Sequence, residues 1–79
     1  MSIKVKYFAS LREQAGCNEE IITTPALNPS ELFDQLSKRY DFSLGKDHIK
    51  VAVNGSYGSM QSPLVEGDEV VFIPPVAGG

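Results

Sequence analysis

The chain has 79 residues, with 7 basic and 10 acidic side chains for a net charge of -3, which describes one small domain with a modest core. That acidic excess leaves no basic stripe to displace counterions from phosphates, so nucleic acid is not the expected partner. A single cysteine, Cys17, and a single histidine, His48, exclude an internal disulfide and a zinc site of the finger type.

The opening MSIKVKYFAS lacks the apolar segment of a signal peptide, and no run approaches membrane-spanning length. Cytoplasmic residence is therefore expected. From Ile3 to Phe8, Ile3, Val5 and Tyr7 alternate with Lys4, Lys6 and Phe8, the period of a strand with one buried face. Ser10-Leu11-Arg12-Glu13 has capping-box spacing and Gly16 follows, predicting a short helical turn closed by a glycine. Glu19 to Thr24, carrying Ile21 and Ile22 and ending at Pro25, reads as a second strand.

Asn28-Pro29-Ser30-Glu31 is the clearest helix start: Asn28 caps, Pro29 suits the first helical position and Glu31 sits three after the cap. Leu32, Phe33, Leu36 and Tyr40 then share one face, and this stripe is expected to cross a sheet. Ile49, Val51 and Val53 alternate with Lys50 and Ala52, and Asn54-Gly55 signals a tight hairpin into a strand from Ser56 to Met60. After the Gly67-Asp68 turn, Glu69 to Ile73 is the final strand.

Strand, strand, helix, three strands is an α+β order with one main helix on one face of a mixed five-stranded sheet. It points to a β-grasp, the fold of ubiquitin, over residues 1–73, with residues 74–79 as an extended tail ending in Gly-Gly. Pro74 and Pro75 fix φ, lower the entropy lost on threading, and stop the sheet because proline cannot donate to a ladder. Six residues, Pro74 to Gly79, span about 19 Å in polyproline II form. Gly78 and Gly79 carry no Cβ, so they fit a narrow channel and allow close approach of another backbone.

Three stretches carry a family resemblance: Ile3-Lys4-Val5 through Phe8-Ala9 with Leu11-Arg12-Glu13 and Gly16; Val53-Asn54; and Leu64 with Gly67-Asp68-Glu69-Val70 running into Phe72-Ile73-Pro74-Pro75-Val76-Ala77-Gly78-Gly79. Over essentially its whole length the chain resembles the small subunits of molybdopterin synthase (the MoaD family), which are β-grasp sulfur carriers. Ala77 stands where members of that family often have Thr or Ser. The resemblance implies that the Gly79 carboxylate is adenylated by an ATP-using activating enzyme, becomes a thiocarboxylate, and gives its sulfur to a pterin precursor inside a large subunit. It implies a heterotetramer with two large subunits at its centre. It also implies that the small chain is no enzyme alone, supplies no catalytic side chain and binds no cofactor or metal.

The residues suit that chemistry. A free α-carboxylate, with a pKa of roughly 3.3–3.7, is ionised and resists nucleophiles until joined to AMP. In a β-grasp the first and last strands are parallel neighbours, which sets Phe8 beside Ile73 on the face away from the helix. With Val71 and Tyr57 these residues make the expected docking patch. Cys17 has no sequence neighbour that would lower its pKa and reads as a passive thiol; His48 reads as a solvated loop residue. Glu66 to Glu69 reads as a polar turn in which Asp68 bonds local backbone. The alternatives are a β-grasp sulfur carrier for another acceptor (thiamine thiazole, a tRNA base, cysteine), a ubiquitin-like protein modifier, and an interaction domain with an inert terminus.

Overall fold

In the computed structural model, residues 1–75 are described. The elements are β1 (Ser2–Tyr7), α1 (Ala9–Ala15), β2 (Glu19–Thr23), α2 (Pro29–Tyr40), a 3-10 turn (Lys46–His48), β3 (Lys50–Val53), β4 (Ser56–Gly58) and β5 (Glu69–Ile73). They form one sheet in the order β2-β1-β5-β3-β4. β1 and β5 are parallel; every other neighbouring pair is antiparallel. This mixed five-stranded sheet carrying one main helix is the expected β-grasp.

Alternation decides which side of each strand is buried. Ile3, Val5 and Tyr7 on β1, Ile22 on β2, Val51 on β3 and Val70 and Phe72 on β5 face the core. Leu32, Phe33 and Leu36 of α2 close it from the other side, joined by Leu11, Phe42 and Leu64. Truncating one of the fully buried leucines to alanine is worth about 2–5 kcal/mol, because the neighbours only partly fill the space. Phe42 lies beyond the helix, in a stretch without periodicity, yet its ring packs on Phe33, Tyr40 and Tyr7.

α2 begins as the residues dictate. Asn28 Oδ1 accepts from the Glu31 amide at 2.9 Å, and Glu31 Oε1 accepts from the Leu27 amide at 2.8 Å, so two otherwise orphaned amides are satisfied reciprocally. The β3–β4 turn places Asn54 at φ 52 and Gly55 at φ 86, the positive pair a two-residue hairpin requires.

Two expectations are corrected. Ser10 is not a cap: α1 starts earlier, with Phe8 at the N-cap position and no side-chain cap. The Phe8 carbonyl takes the amides of Leu11 and Arg12 directly, so the helix starts without Ser10. The strand after the hairpin stops at Gly58 rather than reaching Met60. There the chain turns, with the Ser59 amide donating to Ser62 Oγ and the Ser62 amide to the Ser59 carbonyl. Met60 instead accepts from the Ser30 amide through its carbonyl and packs against the core.

Candidate functional site: the end of the last strand

β5 runs through the middle of the sheet, flanked by β1 and β3, so its end is held from both sides. The β1–β5 ladder ends at Tyr7 opposite Phe72, with Phe8 and Ile73 the next residues along their chains. Lys50 of β3 pairs with Ile73 on the opposite flank. One residue row back, Lys6, Val71, Ala52 and Tyr57 lie side by side across β1, β5, β3 and β4. The structure thus joins Val71 to Tyr57 through Ala52 on the face away from α2, with Phe8 and Ile73 just past the last Tyr7–Phe72 pair.

This face is apolar with a cationic border. Phe8 is 49% exposed and Tyr57 82% exposed, while Val71 and Ile73 are half-buried. Lys4 reaches Glu19 at 3.0 Å and Lys6 reaches Glu69 at 3.6 Å. The bond to Glu19 raises the Lys4 pKa, and the same bond holds the Glu19 carboxyl below its usual range. Phe8 presents itself from extended backbone at φ -123, but Ala9 turns to φ 50, a left-handed conformation costing a non-glycine residue about 1–2 kcal/mol. That turn starts α1 immediately beside the exit of β5.

Two clefts flank the patch. One of about 320 Å³ is lined by Lys6, Tyr7, Phe8, Arg12, Asn18 and Glu19. The other, about 460 Å³, is lined by residues that include Lys50, Tyr57 and Met60. Ala52 and Arg12 were not singled out from sequence. The Lys50-Ala52 alternation already set Ala52 on this face, but its place between Val71 and Tyr57 depends on strand order. A larger cleft, about 690 Å³, lies elsewhere, against the polar face of α2.

Pro74 is buried against the body and Pro75 is exposed. Val76, Ala77, Gly78 and Gly79 lie outside the described residues. Cys17 is half-buried against the core; burial first, and then the Glu20 charge, push its thiol up, with Arg39 opposing. His48 ends the 3-10 turn and is exposed. Asp68 is buried and accepts from the Val65 amide at 2.9 Å, the local backbone bond expected of it, and also from Asn54 Nδ2 at 2.9 Å. Among the described residues, no cluster of three His, Cys, Asp or Glu side chains could hold a metal. No helix among them is long and apolar enough to cross a membrane.

The profile of the ThiS family matches residues 5–79. A molybdopterin synthase sulfur carrier subunit from Drosophila ananassae is 36% identical over 83 residues, covering 100% of this chain and 92% of the relative. The chain belongs to the ThiS family.

Its likeness to other ThiS-family and ubiquitin-like proteins is equally complete. The corresponding Escherichia coli K12 subunit is 35% identical over 80 residues, covering 98% of this chain and 99% of the relative. Among solved structures, SAMP1 from Haloferax volcanii, a small archaeal modifier protein, superposes with a TM-score of 0.79 at 29% identity, covering 100% of each chain. A chain from the complex of subunits 1 and 2 of the molybdopterin-converting factor of Helicobacter pylori superposes at 0.69 and 25% identity, again over 100% of both. The ThiS-family match runs through Gly79, so it includes the two terminal glycines.

Proposed function

We propose that this ThiS-family chain is the sulfur carrier subunit of molybdopterin synthase, with the Gly79 carboxylate as its working group. The observation that carries the reading is full-length relatedness to sulfur carrier subunits, extending through the terminal glycine. The structure supports it by delivering the chain out of the middle of the sheet, beside an exposed apolar face.

The chemistry follows from the end group. The Gly79 carboxylate attacks the α-phosphorus of ATP on an activating enzyme and releases pyrophosphate. Sulfide, HS⁻, then adds to the acyl carbon and expels AMP, which keeps the departing oxygen, while the proton of the new S–H is lost to solvent. The resulting thiocarboxylate holds much of its charge on a soft sulfur, which attacks an electrophilic carbon of the pterin precursor in the large subunit as that carbon's oxygen substituent departs. Water then cleaves the thioester, leaving sulfur on the pterin and returning the Gly79 carboxylate. The small chain acts as carrier and contributes no catalytic side chain. Pro74 is seated on the body. A five-residue stretch of the length of Pro75 to Gly79 would reach about 16 Å if a partner threaded it in polyproline II form, Gly79 entering first with Gly78, Ala77 and Val76 behind it. Phe8, Tyr57, Val71 and Ile73 dock on the large subunit, whose existence is supported by the two-subunit complex of the Helicobacter pylori neighbour. The expected assembly is a heterotetramer in the cytoplasm.

Incubating the full chain with an activating enzyme, ATP and a sulfur source tests this directly. The expected result is an oxygen-to-sulfur mass increase localised to Gly79; an unchanged intact mass overturns it. The likeness to SAMP1 favours one other reading, transfer of Gly79 to a lysine of another protein. A covalent adduct on such a lysine would identify that route.

A further inference from the structure

The two edges of the sheet are unlike. β4 is three residues long and ends in glycine, a short edge of the kind that resists further pairing. β2 is five residues long, pairs with β1 one-to-one without a bulge, and contains neither proline nor lysine. At its centre Ile21 is 74% exposed. Apart from the charges of Glu19 and Glu20 at its start, the usual devices that blunt an edge are missing here.

The hydrogen-bonding phase of this edge follows from its ends. Met1 and Thr24 exchange bonds through the Met1 amino group and the Thr24 amide, and Tyr7 donates to the Asn18 carbonyl. In an antiparallel ladder bonded and non-bonded pairs alternate, so Ile3–Ile22 and Val5–Glu20 are bonded pairs. Glu19, Ile21 and Thr23 therefore turn their amides and carbonyls away from β1. These backbone groups have no partner among the described residues.

We propose that the β2 edge is a pairing surface for a second copy of this chain, related by a two-fold axis through Ile21. In antiparallel self-pairing Ile21 meets Ile21 of the other copy, and Glu19 meets Thr23. The outward-turned residues of each copy then face one another in phase, each pair exchanging both bonds. No like charges are opposed, since Glu19 faces threonine and is held by its own Lys4 at 3.0 Å. Ile21 against Ile21 covers the exposed isoleucine of the strand. One continuous sheet would span both copies. β5 lies two strands inside the edge, so each Pro75 would stay free. The inference stands independently of the sulfur chemistry.

Sedimentation velocity on the full chain, up to roughly 1 mM, is the test. The expected result is a mass rising from one chain toward two, with amide exchange at Glu19, Ile21 and Thr23 slowing as concentration rises. Ile21→Pro removes an amide that β1 does not use, so it should stay monomeric with an unchanged circular dichroism spectrum. Ile21→Lys keeps every backbone group but sets two charges across the axis, and should shift association at least tenfold. A wild-type chain monomeric throughout overturns the proposal, as it would if the edge instead receives a strand from another protein. So does a folded Ile21→Pro or Ile21→Lys variant that associates as wild type does.

Discussion

Asn54 Nδ2 donates to Asp68 Oδ1 at 2.9 Å, joining the β3–β4 turn to the turn that launches β5. The same asparagine accepts from the Glu69 amide at 2.9 Å, while Asp68 Oδ2 takes the Val65 amide at 2.9 Å. Two side chains thereby set where β5 begins. Because β5 leads directly into Pro74, they also set where the tail leaves the body. The family-like stretches Val53-Asn54 and Gly67-Asp68-Glu69 are thus one latch.

Asp68→Ala removes the acceptor of two part-buried donors, Asn54 Nδ2 and the Val65 amide, and should cost about 0.5–1.5 kcal/mol for each bond lost. Asn54→Ala should cost a similar amount, and the double variant less than their sum, because both remove the same bond. Urea unfolding of the four proteins measures this. Strict additivity would show that the latch is not shared.

Glu20 binds two phenols, accepting from Tyr7 at 2.7 Å and from Tyr40 at 2.6 Å. Burial first, then the Glu20 bond, raises both pKa values, that of Tyr40 to about 12. The folded chain thus holds the Tyr40 proton more tightly than the unfolded chain, whose tyrosine titrates near 10. That stabilisation is complete below about pH 10 and is lost as pH rises through about 12. In Glu20→Gln the carboxylate's charge is gone while burial still raises both phenols, so tyrosinate absorbance should emerge at lower pH. An unchanged alkaline titration would contradict the assignment.

Phe8→Asp and Tyr57→Ala probe the outer face. Both residues are exposed, so stability should stay within about 0.5 kcal/mol of wild type. Binding to the large subunit should weaken by about thirtyfold or more for Phe8→Asp, as for a central aromatic anchor. Calorimetric titration with purified large subunit reads this, and wild-type affinity in both variants would remove the face from the interface.

Cys17 separates side-chain from main-chain sulfur chemistry. Its thiol is pushed up and half-buried, so Cys17→Ser should load sulfur at Gly79 at the wild-type rate. Appending one bulky residue after Gly79 should abolish loading altogether. Intact mass after incubation with activating enzyme, ATP and sulfide source distinguishes them; a large loss in Cys17→Ser would place a cysteine in the pathway.

Local signals were legible because they act within one turn of chain. Asn28 reaches an amide three residues on, Asn54-Gly55 needs only its own positive φ values, and Glu69 to Ile73 shows its alternation unaided. The terminal Gly-Gly behind two prolines was equally plain as a motif. Ser10 misled because the spacing of a capping box does not reveal which residue the backbone chooses to start from, and Ala9 turning to φ 50 moved that start.

What the residues determined by themselves was element type, buried face and the chemical identity of the chain's end. Only the tertiary structure decided that Glu20 would meet Tyr7 and Tyr40, that Asn54 would hold Asp68, and that Ile21 would stand on an open edge. These pairs lie 13, 20 and 14 residues apart, and strand order rather than spacing brings them together. A period of two fixes which face a side chain takes, but it carries no record of the strand that will lie beside it.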